Sequence, residues 1–195
     1  MVLSHKVQVA NVEGKGKGIV AVEKILPGER VWWWDKDEEP IYTYTKSELI
    51  NAEGDMGIKL RMYSYMIEKD VFASISKDPS EHMCDSYYFN HSCNPSCWFE
   101  EGGNILVTIG EVCPGQELAY DYATTESSQS IHAGMTCNCQ SPECRGVLSG
   151  KEYLNKNFWN KYDDHMAEYL QRMVNELRDT SEEKGDKINQ ICSCS

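Results

Sequence analysis

The chain has 195 residues, 41% of them apolar, enough to bury a core in one domain, and no run approaches the ~20 apolar residues of a membrane span. Its net charge of −12 excludes the basic surface that direct nucleic-acid binding needs, and fits either steering of a cationic partner or plain solubility. Nine clustered cysteines, with no apolar leader over residues 1–10, point to reduced thiols in an intracellular protein of nucleus or cytoplasm, some of them on a metal, rather than to disulfides.

Val7 to Val12 alternates apolar and polar residues, as a half-buried strand does. Gly14-Lys15-Gly16-Lys17-Gly18 is a flexible turn, and Ile19 to Val22 is the next strand. Pro27-Gly28 turns the chain into a strand that ends in Trp32-Trp33-Trp34. Neighbouring strand residues face opposite sides, so three tryptophans cannot enter one core. One or two of them line a groove or an interface, the alternative being packing against the C-terminal helix. Asp35 to Pro40 is an acidic loop. Residues 46–70 read as helix followed by a strand near Met62 to Ile67. Ile105 to Ile109 is a strand, and Pro114-Gly115 turns it into a tyrosine-rich strand, Glu117 to Tyr122. Residues 124–134 are polar and predicted to be mobile.

Ser149-Gly150-Lys151-Glu152 fits a capping box. Leu154, Phe158, Tyr162, Met166, Tyr169, Leu170, Met173 and Leu177 then recur at helical spacing, predicting one amphipathic helix over about 151–178 that packs on the domain. Residues 180–195 are polar and predicted to be disordered. Many short strands broken by Gly and Pro make the chain mainly β, of α+β class, with a long C-terminal helix. The implied divisions are a main domain over 1–135, a cysteine segment over 136–148, the helix over 149–179 and the tail over 180–195.

Two segments carry chemistry. Cys137, Cys139 and Cys144 have C-x-C-x4-C spacing, followed by Arg145-Gly146. Three thiolates are one donor short of a closed tetrahedral zinc site, which would be structural because no position remains for water. Cys93, in Asn90-His91-Ser92-Cys93-Asn94-Pro95, His132, Cys192 and Cys194 are the available fourth donors.

These segments, in order with Gly16-Lys17-Gly18 and Glu117 to Tyr122, resemble the SET-domain protein lysine methyltransferases with a post-SET zinc segment. The resemblance covers about three-quarters of the chain, residues 7–148. It implies a β-clip of several short sheets with a pseudoknot-like C-terminal part. It makes Cys93 the fourth ligand of one zinc ion with Cys137, Cys139 and Cys144. It implies S-adenosylmethionine held by Gly16, Lys17, Gly18, Tyr87, Asn90, His91 and Tyr122, with Asn90 on the amino-acid end and the His91 backbone at the adenine. Tyr122 would be the main catalytic tyrosine and Tyr120 the switch that limits the number of methyl groups. Tyr63 would be the second wall of the lysine channel, with Tyr65 as the alternative.

The residue types suit that chemistry. A free lysine has a pKa near ~10.4, so baring its amine at neutral pH costs roughly 4–5 kcal/mol. An apolar aromatic channel and a sulfonium both disfavour the ammonium, so no acid or base need sit beside the amine. A tyrosine at position 120 narrows the room for methyls, which implies mono- or dimethylation. The implied substrate is a basic protein segment, a histone tail or another lysine-containing protein. The alternatives are a catalytically weak module of the same fold and a non-enzymatic zinc-binding interaction protein. The chain departs from the family where Tyr87 stands in place of a frequent Arg, Ser96 in place of an Asn, and Trp32 to Trp34 in place of a Glu-Tyr pair.

Overall fold

The computed structural model describes residues 2–34, 41–74, 76–79 and 83–192; the acidic loop expected at 35–40 lies outside them. In chain order the strands are β1 (Val2–Leu3), β2 (Val7–Val12), β3 (Gly16–Ala21), β4 (Arg30–Trp33) and β5 (Tyr42–Tyr44), followed by helices α1 (Lys46–Asn51) and α2 (Gly54–Tyr63). Next come β6 (Tyr65–Glu68), β7 (Val71–Ser74), β8 (Asn90–His91), β9 (Cys97–Glu100), β10 (Ile105–Thr108) and β11 (Glu117–Tyr120). The chain closes with β12 (Met135–Thr136), β13 (Val147–Leu148), α3 (Lys156–Tyr162) and α4 (Glu168–Cys192).

The strands form four small sheets, in the orders β1-β4-β10-β9, β2-β3-β11-β8, β5-β7-β6 and β12-β13. This is the mainly β architecture with a few helices that the sequence predicts. The pair that matters for function is the one parallel contact among the described strands, in which β8 runs beside β11 with Ala119 opposite Asn90 and Tyr120 opposite His91. The pairing extends through Ser92 N to Tyr120 O at 3.0 Å and Ser96 N to Ala119 O at 3.1 Å. The hairpin of β2 and β3 adds on the other edge of β11, with Glu117 opposite Val20.

Two cores hold these sheets. One gathers Ile19, Ile25, Val31, Phe99, Leu106 and Leu118 between the two four-stranded sheets. The other lies under the three-stranded sheet, where Met66 and Phe72 meet Phe158, Met166, Tyr169 and Leu170. Burying each such side chain contributes roughly 1.5–3 kcal/mol. The C-terminal helices therefore complete the fold rather than decorate it.

The single helix predicted over 151–178 is corrected. Ser149 and Glu152 do meet, with Ser149 N donating to Glu152 Oε1 at 2.8 Å, but the turn they cap is a 3-10 helix of Glu152–Leu154. A fresh start follows at α3, where the Asn155 side chain accepts from Asn157 N. Asp163, at φ +40°, then breaks the helix before α4. Periodicity missed the break because Phe158, Tyr162, Met166 and Leu170 stay in register across it. The backbone of α4 remains helical to Cys192, where a disordered tail from 180 is predicted; propagation from a packed first half is far easier than nucleation. Residues 193–195 lie outside the described residues.

Residues 124–134 are also corrected. Thr124, Thr125, Glu126, Ser127 and Ser130 are all buried; the threonine hydroxyls donate to Asp121 O and Tyr122 O, and Glu126 accepts from Ser130 and from Met66 N on β6.

Candidate functional site

A cavity of about 1090 Å³ opens between the β3 turn, α2 and the β8–β11 pair. Of the residues expected to hold a cofactor, Gly16, Lys17, Tyr87, Asn90 and Tyr122 line it; Gly18 and the His91 ring stand behind the wall. Tyr63, Tyr65 and Tyr120 line it as well. So do Trp32 and Trp34, two residues apart on one face of the strand, as strand alternation requires.

The wall formed by the Gly16–Gly18 stretch and β8 is held by one carboxylate. Glu117 accepts from the Asn90 amide at 2.8 Å and from Lys15 Nζ at 2.6 Å, while the same amide donates to Lys17 O at 3.0 Å. This ties the β3 turn to β8. It also explains the glycines. Gly16 has φ +81°, a left-handed conformation that other residues resist, and a Cβ on Gly18 would lie 2.8 Å from Asn90 Nδ2 and 2.6 Å from Val12 Cγ2.

The tyrosines form a cluster. Tyr120 and Tyr122 have ring centroids 5.0 Å apart. Tyr122 OH donates to Phe89 O at 2.8 Å. Tyr63 stacks on Tyr87 at 5.1 Å, and the Tyr87 hydroxyl accepts from Ser76 N at 3.2 Å. Burial, chiefly, raises the pKa of Tyr65, Tyr120 and Tyr122 well above the usual phenol value, so all three hydroxyls stay protonated and available as donors.

Behind that wall lies a donor cluster for a metal. The ligand atoms of His91, Cys93, Cys137 and Cys139 all lie within 4.8 Å of one another. Cys93 Sγ and Cys137 Sγ are 3.8 Å apart; two thiolates on one tetrahedral zinc, with bonds near 2.3 Å, sit about 3.8 Å apart. Cys144 stands at the rim of this group, its thiol donating to Cys137 O. His132 faces away and bonds Ser64 O at 2.9 Å.

His91 stands among the sulfurs, its Nε2 3.3 Å from Cys93 Sγ. Its Nδ1 accepts the Tyr122 N–H at 3.2 Å, so in the neutral ring Nε2 carries the proton and donates to Cys93 Sγ at 3.3 Å. Burial, opposed by Asp121, holds its pKa down at about 4, which keeps the ring neutral. Backbone N–H groups point at the sulfurs too, Arg145 N at Cys93 and Gly146 N at Cys144, each at 3.4 Å. Burial pushes the Cys93 and Cys137 thiols up. For Cys139 burial is outweighed by hydrogen bonds from the Cys93 and Ser141 backbone and from the Cys137 and Cys144 thiols, which hold it at about 6. A ready thiolate ringed by donors suits a cation.

Asp121, between the two tyrosines, joins these parts. Its buried carboxylate takes Arg145 through both guanidinium nitrogens, at 3.0 and 2.5 Å, the Tyr162 hydroxyl at 2.5 Å and Ala123 N at 3.0 Å. Lys161 Nζ donates to Cys93 O at 3.0 Å. The cysteine segment, through Arg145 N on Cys93 Sγ, and α3, through Lys161 on Cys93 O, thus both close over the Asn90–Asn94 turn.

Residues 16–123, more than half of the chain, match the SET domain family model. The chain belongs to the SET domain family. The Drosophila melanogaster protein "Histone-lysine N-methyltransferase ash1" is 37% identical over 105 residues, 43% of this chain and 5% of that protein. A Cryptococcus neoformans histone-lysine N-methyltransferase, "H3 lysine-36 specific", is 26% identical over 151 residues, 74% of this chain and 17% of that protein. The crystal structure of KRYPTONITE in complex with mCHG DNA and SAH matches with a TM-score of 0.52 at 19% identity, covering 76% of this chain and 30% of that one, which shows a common fold. The chain spans less than a third of the length of each of these.

This SET domain carries a feature that the sequence did not reveal. Glu126 lines the cavity and is buried, accepting from Met66 N at 3.4 Å and from the Ser130 hydroxyl. Burial pushes its pKa up to about 8, with the two hydrogen bonds opposing. The folded chain therefore keeps a proton that the unfolded chain sheds near ~4.3, so stability falls as pH rises through that interval. The urea midpoint is expected to drop between pH 6.5 and 8.5, and Glu126→Gln to flatten that drop; equal slopes in the two proteins would contradict the assignment.

Proposed function

We propose that this SET domain is an S-adenosylmethionine-dependent protein lysine N-methyltransferase acting on a histone tail or another basic segment, and that it adds one or two methyl groups. The observation that supports this most is the parallel pairing of β8 with β11, which puts Asn90 and the Tyr120–Tyr122 pair on one cavity. The names of the relatives point to histones, H3 lysine-36 among the sites, and a histone substrate would place the protein in the nucleus.

S-adenosylmethionine, when bound, supplies a methyl group on a positively charged sulfur. In this reading Gly16, Lys17, Gly18, Tyr87, Asn90 and the His91 backbone hold it. Lys17 is a cation of the wall beside Lys15, standing 4.9 Å over the Tyr88 ring. Tyr63 or Tyr65, with Tyr120 and Tyr122, would form the lysine channel. Their neutral hydroxyls and the Phe89 carbonyl orient the amine, and their rings exclude the water that would stabilise its ammonium form. Holding two reactants at attack distance is where such a site gains most. Cys93, Cys137, Cys139 and Cys144 would bind one structural zinc, with His91 as hydrogen-bond donor to Cys93.

The test is radiolabelled methyl transfer to a panel of histones and basic proteins, beside calorimetric titration with S-adenosylmethionine. Label on lysine supports the enzyme. Neither label nor cofactor binding would leave a zinc-stabilised interaction module. A second expectation concerns the product. Tyr120 lines the cavity and is packed edge-on against Phe99 at 5.0 Å, its hydroxyl kept protonated by burial. Removing that hydroxyl in Tyr120→Phe should free space for further methyls and shift the products towards higher methylation by mass spectrometry. An unchanged distribution would remove the switch role.

A further inference from the structure

We propose that Glu126 is the proton acceptor for the target lysine, at the inner end of the channel, with the Ser64 hydroxyl beside it. The inference rests on the methyltransferase reading above and adds to it a group that aromatic desolvation alone does not supply.

Three observations carry it. Glu126 lines the same cavity as Tyr65, Tyr120 and Tyr122, yet among the described residues no lysine or arginine pairs with it; its partners are the Met66 N–H and the Ser130 hydroxyl, both neutral. A buried carboxyl without a cation is costly and is retained where a cation comes and goes. The second is Ser64, which also lines the cavity, is 1% exposed, and has an Oγ with no hydrogen-bond partner. Ser64 directly precedes β6, whose Met66 N–H holds Glu126, so the unused hydroxyl and the unpaired carboxyl belong to one stretch of wall. A buried polar atom left open at a cavity awaits a polar occupant. The third is that the phenols and the imidazole around Glu126 are neutral; the charged groups on the neighbouring elements are Lys46, whose Nζ is taken up by Gln129 O at 2.9 Å and Ser130 O at 3.4 Å, and Glu152, which lines the small cavity behind Glu126. Tyr120 and Tyr122 come from β11 and the turn after it, Tyr169 from α4, and His132 from the loop Glu126 shares. Burial keeps the three phenols protonated and lowers the His132 pKa, so none of them competes as a cation or an anion.

The step balances as follows. In the ionised fraction of Glu126, which grows as pH approaches about 8, a carboxylate oxygen takes one proton from the lysine ammonium; the N–H bond breaks, its electron pair stays on nitrogen, and an O–H bond forms. The nitrogen lone pair then forms a bond to the methyl carbon of the sulfonium donor, and the carbon–sulfur pair returns to sulfur, leaving a neutral thioether and a methylated ammonium. Glu126 passes its proton to solvent before the next cycle. An acceptor that titrates near the working pH is the efficient one.

The experiment compares Glu126→Gln with wild type on two peptides. The first probe is the H3 segment containing lysine-36, or whichever panel substrate carries most label. The second is the same peptide with S-aminoethylcysteine at the acceptor position, whose amine loses its proton more readily. Glu126→Gln should lower kcat/KM on the lysine peptide by about 10²-fold or more, and on the analogue by at least tenfold less. Equal losses on both peptides, or no loss, overturn the proposal, because a purely structural carboxyl serves both substrates alike. Ser130→Ala supplies a second arm that keeps the carboxyl in place. Losing that donor should move the acid limb of the kcat/KM profile to higher pH, and an unmoved limb counts against the proposal. A wild-type chain that binds S-adenosylmethionine but labels neither peptide nor any panel protein removes the methyltransferase reading and this proposal together; an active wild type with equal losses removes the proposal alone.

Discussion

Tyr122→Phe is expected to lower kcat for methyl transfer by about 10²-fold or more while leaving the fold close to wild type. The ring would keep its contacts with Tyr120 at 5.0 Å and His91 at 5.3 Å, so packing changes little. What goes is the hydroxyl that donates to Phe89 O at 2.8 Å. One such hydrogen bond is worth only about 0.5–1.5 kcal/mol to folding. Its value to the reaction is larger because it fixes two polar atoms at the channel, and a displacement of about 1 Å from attack geometry costs about 10²-fold. Single-turnover kinetics with saturating cofactor, beside a thermal melt, measures both effects. A variant within threefold of wild type would take Tyr122 out of the catalytic role.

Loss of the metal should be as severe, through a different route. Cys137 is buried and touches Cys93 across 44 residues of chain. With Cys137→Ser, or after chelation, zinc content should fall from one ion per chain towards none, and cofactor binding should fall with it. The free energy of binding a structural zinc is folding free energy, here that of the segment from β12 to β13 and of Arg145 on Asp121. Without that pairing the Asp121 carboxylate keeps only Tyr162 and Ala123 N as hydrogen-bond donors, a buried charge without its cation, which costs several kcal/mol. Metal analysis and melting with and without chelator test this. Well under one zinc per chain in carefully purified, cofactor-binding protein would sink the metal assignment.

The parts of the fold set by short-range rules were legible. Alternation at Val7–Val12 foretold β2, and the strand expected at Ile105 to Ile109 lies at Ile105–Thr108; Gly16 to Gly18, expected in a turn, instead open β3 opposite Val12, Asn11 and Ala10. The C-x-C-x4-C spacing foretold a thiol cluster, but the residues near it did not single out Cys93; that choice came from the resemblance, and the structure places Cys93 against Cys137. What stayed hidden depended on partners far along the chain. Glu126 sits in a run whose polarity reads as a solvated loop, and only Met66, 60 residues earlier, shows why it is buried. Asp163 interrupts a helix whose apolar spacing gives no sign of it. The Arg145–Asp121–Tyr162 network joins three segments that no periodicity connects.

That network has a consequence for synthesis. Asp121 stands between the two tyrosines, yet Arg145 and Tyr162 leave the ribosome 24 and 41 residues after it. Tyr169, which closes over Thr125 and Met66, comes later still. A nascent chain that has already made Asn90, Cys93 and both tyrosines therefore has no working cavity, only three sheets without the helices that cover them, and uncovered thiols. Contacts so distant in sequence form slowly. The interval between making Cys93 and making Tyr169 is when this protein is most open to oxidation and aggregation, and a supply of zinc during translation should do more for its yield than the same zinc added after purification.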